Sequence, residues 1–293
     1  MNEHARESTL STYTAMDGDN LAVQDWPLAP ERAPRGMVLI VHGLGEHAGR
    51  YDHVARQLNH WGFAVRGYDH YGHGDSGGLR GALPSDMRLI DDLADLMDST
   101  RARTEPGTPL LLLGHSMGGL VASCLVAQRV RPLDGLILSS PAFDPGLGTT
   151  RKVLLAVLHK LAPGMAVANS VDPALLSHDA GVVAAYKSDP LVHDRVTARL
   201  ARFIVDHSAG VLAQAPHWHV PTLLMYAGAD RVVNPEGSRM FAQAAPREVV
   251  TVRRFEALFH EIFNEADAQP VFGALGAWLD AHFPEPASSA VAV

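Results

Sequence analysis

A serine set between glycines is the residue of this chain that is best placed to do chemistry. Ser116 is the centre of a Gly-His-Ser-Met-Gly pentapeptide, residues 114–118, and Gly119 follows it. Four leucines precede the pentapeptide and a Leu-Val-Ala run follows it, which predicts a strand, a sharp turn and a helix. The turn needs small residues two positions before and after the serine, because larger side chains would collide there. We therefore predict that Ser116 is a nucleophile at the start of a helix rather than a residue of an ordinary glycine-rich turn.

A serine hydroxyl is a weak nucleophile unless a base removes its proton and a third group orients that base. In the strand-turn-helix arrangement the partners follow the serine along the chain, first Asp or Glu and then His, just beyond strand ends. Asp230 comes shortly after a predicted strand that ends at Tyr226, and His260 lies in the loop after the last predicted strand. Singly, Asp230 could be a turn residue and His260 one of 16 scattered histidines. Because both stand at the required positions in the required order, we predict a catalytic set of Ser116, Asp230 and His260.

Acyl transfer also needs two backbone N–H groups that face the negative oxygen of the intermediate. Met117 is expected to supply one, because it directly follows the nucleophile. The loop after the apolar strand that ends at Val41 is expected to supply the other. Leu44 follows His42-Gly43 in that loop and is assigned from its position alone, since backbone donors have no side-chain signature.

The elements that must hold these residues are predicted from hydrophobic spacing. Short apolar runs alternate with segments in which apolar residues recur at helical spacing, so we predict a mostly parallel sheet with helices on both faces. A turn cluster at residues 17–20 predicts an antiparallel hairpin at the edge of this sheet. The predicted strands of the parallel part are Met37–Val41, Phe63–Tyr68, Leu110–Leu113, Leu136–Leu138, Pro221–Tyr226 and Glu248–Val252. The predicted helices that flank them are 51–61, 85–103, the helix after Ser116, and 271–283.

Residues 143–216 interrupt this alternation. No strand is predicted there, and the helical candidates are 152–161 and 196–212. An insertion of this length is rarely plain loop, and ligands of open α/β sheets bind at the carboxyl edge. We therefore predict a helical cap, or lid, at 143–216 over a core made of residues 1–142 and 217–293. The first candidate helix is rich in Val and Leu, so it is expected to pack on the core, to line an acyl-chain tunnel or to touch a lipid surface.

Composition limits the classes of partner and compartment. The 293 residues carry a formal net charge of −8, which argues against nucleic acid as a partner because phosphate binding needs clustered Lys and Arg. The single cysteine, Cys124, cannot form an internal disulfide and is expected to be a small buried residue. The polar N-terminus lacks the apolar segment of a signal peptide, and no apolar run approaches the roughly 20 residues of a membrane span. These features predict a soluble, cytoplasmic protein.

Three other motifs are less consistent with their surroundings. Residues 72–77 match Gly-x-Gly-x-x-Gly, but the glycines and proline that follow exclude the helix that a dinucleotide site needs. The histidine pairs at 42/47 and 217/219 lack the spacing of known zinc motifs. Asp69, His70 and His73 are expected to make hydrogen bonds within a loop rather than to form an acid/base set. We therefore predict neither a metal site nor a cofactor site.

Several of these motifs together resemble the monoacylglycerol lipase family of α/β hydrolases. They are the runs 42–51, 69–76, 114–119 and 228–233, with 171–177 and 188–192 in the predicted cap. The resemblance extends from about Gly36 to Phe283, and the His-Gly-x-Gly-Glu-His run at 42–47 is its most specific part. It implies an α/β-hydrolase fold with the catalytic and oxyanion residues already named. It also suggests that Glu46 and Arg50 lie near the glycerol end of the substrate, although they could equally form an ion pair that shapes the loop.

The function that this resemblance implies is hydrolysis of a monoacylglycerol ester through an acyl-enzyme, with no cofactor. The expected partner is a small lipid ester, and the cap could bring the protein into transient contact with a membrane. Alternatives on the same fold are a lysophospholipase, a general carboxylesterase, an amidase or aminopeptidase, and a binding protein without catalysis. The sequence does not indicate an oligomeric state.

Overall fold

The computed structural model describes residues 7–29, 32–169 and 171–285. Most of the polar N-terminal segment considered above therefore lies outside the described residues. Within them the strands are β1 (Thr9–Thr14), β2 (Asn20–Trp26), β3 (Gly36–Val41), β4 (Phe63–Tyr68), β5 (Leu110–His115), β6 (Gly135–Ser139), β7 (Ala166–Ala168), β8 (Arg195–Thr197), β9 (Thr222–Ala227) and β10 (Val250–Phe255). The α-helices are α1 (Asp52–His60), α2 (Arg88–Arg101), α3 (Met117–Ala127), α4 (Thr149–Leu161), α5 (Ala180–Ser188), α6 (Ala198–Gln214), α7 (Pro235–Ala244) and α8 (Gln269–His282).

Eight strands form one sheet in the order β1-β2-β4-β3-β5-β6-β9-β10. The hairpin of β1 and β2 is antiparallel and lies at one edge, and every pairing from β4 to β10 is parallel. This confirms the predicted sheet and its edge hairpin. Because the carboxyl ends of parallel strands meet at one edge, the loops after β3, β5, β6 and β9 all open on the same side of the molecule.

The apolar runs of the central strands are buried on both faces. In β5, Leu110 and Leu112 pack in one core with α2, α3 and α7, while Leu111 and Leu113 pack in the other with α1 and α8. Helix α3 contributes its apolar residues to the first core, and Cys124 is buried there as expected. A strand whose successive residues enter two cores cannot slip by one position without exchanging both sets, so the register of β5 is well specified.

The segment between β6 and β9 contains α4, β7, α5, β8 and α6. The prediction that it holds no strand is wrong, because β7 and β8 form a small antiparallel pair. Each has three residues, too few to give a periodic signal. Helix α6 packs against the core through Leu200, Phe203 and Val211, whereas α4 has no buried residue. Treatment of residues 143–216 as a separate cap stays a prediction.

Two helices were missed by the periodicity analysis. Helix α7 follows Asn234, whose side chain accepts a hydrogen bond from the Glu236 N–H, and Pro235 occupies its first turn. Helix α5 follows Asp179, whose side chain accepts hydrogen bonds from the N–H groups of Gly181 and Val182. These are standard helix-start signals that the spacing of apolar residues alone does not include. None of the helices in the described ranges is both long enough and apolar enough to cross a bilayer.

Candidate active site

The turn between β5 and α3 has the strained geometry that the glycine spacing predicts. Ser116 has φ 51° and ψ −118°, a conformation that residues with a side chain rarely adopt. A Cβ on Gly114 would lie 2.7 Å from the Gly119 Cα, and a Cβ on Gly118 would lie 2.0 Å from the Val41 carbonyl oxygen. Only glycine fits at these positions. The strand and the helix therefore approach closely and hold Ser116 at the carboxyl edge of the sheet.

His260 and Asp230 form a buried pair in the loops after β10 and β9. The His260 Nδ1 atom lies 2.7 Å from Asp230 Oδ2, and Asp230 Oδ1 accepts hydrogen bonds from the N–H groups of Val232 and Val233. Burial raises the pKa of Asp230, but the neighbouring His260 outweighs it and the pKa is lowered. Burial lowers the pKa of His260, but the Asp230 carboxylate outweighs it and the pKa is raised above 6.5. The pair therefore favours a carboxylate and an imidazole that readily accepts a second proton.

A cavity of about 240 Å³ opens at this edge of the sheet, and both Ser116 and His260 line it. The structure thus brings the predicted nucleophile and base to one cavity, with Asp230 behind the histidine. Most of the wall is apolar and comes from both the sheet loops and residues 143–216. The apolar residues of that wall include Leu44, Met117, Leu147, Val171, Leu176, Val196, Ile204, Val205, Val232 and Val233.

Leu44 and Met117, the two predicted oxyanion donors, also line this cavity. Among the described residues, neither backbone N–H donates a hydrogen bond to a protein acceptor. The Gly43–Leu44 peptide is held by His42, whose Nδ1 donates to the Gly43 carbonyl over 2.8 Å. The direction of this bond follows from the other ring nitrogen, since His42 Nε2 accepts from the His70 N–H. Because the peptide is trans, fixing its carbonyl also fixes the direction of the Leu44 N–H.

Glu46 and Arg50 form an ion pair, with Glu46 Oε2 and Arg50 Nη1 2.5 Å apart. Glu46 lines the cavity, and its Oε1 accepts hydrogen bonds from the Gly43 N–H and the Tyr51 hydroxyl. Burial raises the pKa of Glu46, but Arg50 outweighs it and the pKa is lowered. The pair therefore shapes the loop, while its contact with a substrate stays a prediction.

Three further residues around this site were not predicted from the sequence. The His115 ring lies 4.7 Å from the His260 ring, and burial together with His260 lowers the pKa of His115 to about 4. Glu261 and Tyr186 both line the cavity and both contact Arg50. Their positions gave a partial signal, because His115 and Glu261 are direct chain neighbours of Ser116 and His260. Tyr186 had none, since it reaches the site only through the packing of α5.

The loop residues that could suggest a metal or a nucleotide make local hydrogen bonds. Asp69 accepts from the N–H groups of Ala48 and Asp75, and His70 donates through Nε2 to the His42 carbonyl. In the ranges that the structure describes, no group of three or more His, Cys, Asp or Glu side chains could hold a metal ion. The glycine-rich run 72–77 is followed by turns until α2 begins at Arg88.

Comparison with known proteins agrees with this geometry. Residues 32–267 match the family model described as serine aminopeptidase, S33. A monoacylglycerol lipase of Mycolicibacterium smegmatis is 34% identical over 92% of this chain and 96% of its own length. A protein of Bacillus subtilis named phospholipase YtpA is 32% identical over 87% of this chain and 98% of its own length. The crystal structure of a Paleococcus ferrophilus monoacylglycerol lipase has a TM-score of 0.78 and 33% identity, over 93% of this chain and 99% of that one. This chain belongs to the monoacylglycerol lipase family of α/β hydrolases.

Proposed function

We propose that this protein hydrolyses the carboxylic ester of monoacylglycerols, releasing a fatty acid and glycerol, with Ser116 as nucleophile, His260 as base and Asp230 as its orienting partner. The observation that carries the proposal is the strained turn at Ser116, which opens on the same apolar cavity as the buried His260–Asp230 pair. Relatives named monoacylglycerol lipase, at 33–34% identity, support the choice of substrate.

The acylation step follows from these positions. The Ser116 hydroxyl loses its proton to His260 Nε2 while its oxygen attacks the ester carbonyl. The negative oxygen of the tetrahedral intermediate accepts hydrogen bonds from the Leu44 and Met117 N–H groups. Collapse of the intermediate breaks the ester bond, and His260 returns the proton to the departing alcohol.

Deacylation repeats the sequence with water. His260 removes a proton from water as the water attacks the acyl-enzyme, and the second intermediate then releases the fatty acid and regenerates Ser116. Neither step requires a redox or metal cofactor. The apolar wall of the cavity suits the acyl chain of the substrate, because burial of each methylene group contributes about 0.8 kcal/mol.

Lysophospholipid hydrolysis is the second candidate function. It is supported by the 32% identical relative from Bacillus subtilis that is named a phospholipase. The family model named for an aminopeptidase makes amide cleavage a third reaction to compare. Rates on monoacylglycerols of several chain lengths, lysophosphatidylcholine, p-nitrophenyl esters and aminoacyl anilides discriminate these reactions. Faster turnover of the anilides or of lysophosphatidylcholine than of any monoacylglycerol would contradict the proposed substrate.

The nucleophile is tested by Ser116→Ala. We expect loss of ester hydrolysis and of labelling by a fluorophosphonate, with the thermal unfolding temperature nearly unchanged. Ser188→Ala, at an exposed position on α5, is the matched control and should keep both activities. Wild-type protein that does not react with the probe would rule out a serine hydrolase, and near wild-type activity of Ser116→Ala would mean that another residue is the nucleophile.

We also propose that the cap, residues 143–216, touches the lipid surface from which the substrate is drawn, in a cytoplasmic protein that is peripheral to the membrane. Helix α4 carries the support for this proposal. Val153, Leu154, Val157 and Leu161 are 59%, 66%, 48% and 80% exposed, an arrangement that suits insertion into the boundary of a bilayer.

Binding to phosphatidylcholine vesicles tests this contact. Leu154→Glu and Leu161→Glu should reduce co-sedimentation with the vesicles and slow turnover of vesicle-bound monoacylglycerol, while turnover of a soluble p-nitrophenyl ester stays at the wild-type rate. Leu10→Glu makes the same change at a 73% exposed position on the edge strand β1, and it should alter neither measurement. Equal vesicle binding by all four proteins would contradict a role of α4.

A further inference from the structure

Three charged side chains, Arg50, Glu46 and Glu261, form a buried ion-pair cluster beside the cavity. The Arg50 guanidinium lies between two carboxylates, with Nη1 2.5 Å from Glu46 Oε2 and 2.8 Å from Glu261 Oε1, and Nη2 2.7 Å from Glu261 Oε2. The side chains of Arg50, Glu46 and Glu261 are only 10%, 4% and 5% exposed. Charged side chains are costly to bury even when they are paired and hydrogen-bonded. The burial of these three charges therefore suggests a role other than stabilising the fold.

The Glu46 side of this cluster is bonded to the oxyanion loop, residues 42–47 after β3. Glu46 Oε1 accepts a hydrogen bond of 2.6 Å from the Gly43 N–H, one peptide before the Leu44 donor. The Tyr51 hydroxyl donates to the same oxygen over 2.6 Å. The carboxylate of Glu46 is therefore fully engaged, and its position sets the start of the Gly43–Leu44 segment.

The Glu261 side of the cluster is bonded to the histidine loop, residues 256–261 after β10, which contains the proposed base. Glu261 directly follows His260, its N–H donates to the Leu176 carbonyl, and its Oε2 accepts from the Asn264 side chain. A third contact comes from the insertion, since the Tyr186 ring of α5 lies 4.8 Å from the Arg50 guanidinium carbon. Arg50 thus joins the oxyanion loop, the histidine loop and α5 at one point.

Three N–H···O bonds commit both terminal nitrogens of Arg50 to these two carboxylates. Tyr186 covers the face of the guanidinium, and Arg50 is not among the residues that line the cavity, so the group is directed at the loops rather than at an alcohol oxygen of the substrate. A planar fork that serves two carboxylates is specific to arginine, because an ammonium group is a single point of charge.

From this geometry we propose that Arg50 and Glu261 are positioning residues, which hold the Leu44 donor and His260 in the mutual arrangement that acyl transfer requires. The inference rests on the proposed function. It assigns Arg50 to the alignment of the catalytic loops rather than to the binding of glycerol. The same carboxylates also add negative charge beside His260, which becomes an imidazolium during the reaction.

Lysine at position 50 tests the alignment. Arg50→Lys keeps the charge but cannot reproduce the planar fork that pairs with both oxygens of Glu261 while also bonding Glu46, so we expect kcat to fall about 10- to 100-fold, with KM within about 3-fold of wild type. The fall should be equal for a monoacylglycerol and for a p-nitrophenyl ester, because the second substrate has no glycerol. Arg131→Lys is the matched control, since Arg131 also pairs with both oxygens of a carboxylate, that of Asp98, but on the exposed surface.

Glutamine at position 261 tests the charge. The charged and titratable groups around His260 are Asp230, His115, Glu261, Glu46 and Arg50. Glu261→Gln removes one negative charge with little change of shape, so the pKa of His260 should fall and the acid limb of kcat/KM should move to lower pH by about half a unit or more. Glu105→Gln makes the same change at an exposed turn before β5 and should leave the limb in place.

The outcomes separate this inference from the function on which it rests. Rates are normalised to the fraction of protein that a fluorophosphonate labels at saturation, so that misfolded protein does not count. A loss in Arg50→Lys confined to monoacylglycerols and expressed in KM would overturn the inference and assign Arg50 to the substrate. A Glu261→Gln profile identical to that of Glu105→Gln would also overturn it, while the function stands. Wild-type protein inactive on both esters would remove the function and this inference with it.

Discussion

His260 Nδ1 lies 2.7 Å from Asp230 Oδ2, and each of these two side chains is only 3% exposed. The other carboxylate oxygen is held by two backbone N–H groups, so Asp230 cannot rotate away from the ring. An ionised carboxylate is an acceptor only, and the proton must therefore lie on Nδ1. The lone pair then lies on Nε2, which is the acceptor that the proposed mechanism needs for the proton of Ser116.

Asparagine at position 230 should reverse this arrangement. The amide of Asp230→Asn can donate to Nδ1, which moves the proton to Nε2, where it blocks proton transfer from Ser116. We expect kcat on a p-nitrophenyl ester to fall about 10⁴-fold, with the fold retained. The measurement is steady-state kinetics alongside circular dichroism. Asp144→Asn, at a partly exposed position outside the cavity wall, is the control; a loss below about 10-fold in Asp230→Asn would show that the pair does not set the tautomer.

The pH dependence of activity follows from the same pair. Burial lowers the pKa of His260, but Asp230, helped by Glu261 and Glu46, raises it above 6.5. His260 is active as a base only when neutral, so kcat/KM should fall as the pH drops through this raised pKa, with a midpoint above 6.5. Rates from pH 5 to 9, with circular dichroism at each pH to exclude unfolding, test this. A midpoint below 6.5 would contradict it.

Close contact at the turn between β5 and α3 predicts opposite effects of two alanine substitutions in helices. A Cβ on Gly118 would lie 2.0 Å from the Val41 oxygen and 2.4 Å from the His42 oxygen, so Gly118→Ala must separate α3 from the oxyanion loop. We expect a loss of about 1–3 kcal/mol in the free energy of unfolding and at least a 100-fold loss of kcat. Gly210→Ala in α6 meets no atom within 4 Å and should add about 0.5–1 kcal/mol with normal activity. Urea denaturation that ranks the two variants equally would contradict the proposed collision.

Three buried histidines, His42 directly after β3 and His70 and His73 after β4, predict a loss of stability in mild acid. Burial lowers the pKa of His42, His70 and His73 well below 6.5. Below pH 6.5 the unfolded chain therefore binds protons that the folded chain does not, and the free energy of unfolding falls with falling pH. The upper limit is about 1.4 kcal/mol per pH unit for each histidine.

Urea denaturation at pH 6.5 and 5.5 measures this loss. The pKa of His260 is shifted in the opposite direction, so its stabilising effect does not weaken as the pH falls across this window and cannot cause the loss. His70→Gln should remove part of the pH dependence, whereas His60→Gln, at an exposed position at the end of α1, should leave it intact. Equal slopes for these two variants would mean that His70 is not responsible.

Much of the fold follows from patterns that act over a few residues. The apolar runs of the parallel strands were recognisable because these strands are buried on both faces, and the hairpin because of its turn cluster at 17–20. The edge position of Asp230 and His260 followed from the rule that parallel strands end together. The strands β7 and β8 were not predicted, because three residues are too few to show an alternating hydrophobic pattern. Helices α5 and α7 were not predicted, because their sequence signal is a capping residue at the N-terminus rather than a row of apolar residues at helical spacing.

The sequence by itself determined the turn at Ser116, since the Gly-x-Ser-x-Gly pattern between an apolar strand and a helix is local and the collision that demands glycine at 114 is with the nearby Gly119. It also determined the chain order of the proposed catalytic residues. Only the tertiary structure decided which side chains Arg50 contacts. Its partner Glu261 is 211 residues away along the chain, and no local pattern relates them. Packing of the oxyanion loop, the histidine loop and α5 brings these charges together, because a buried guanidinium must find its carboxylates wherever the fold places them.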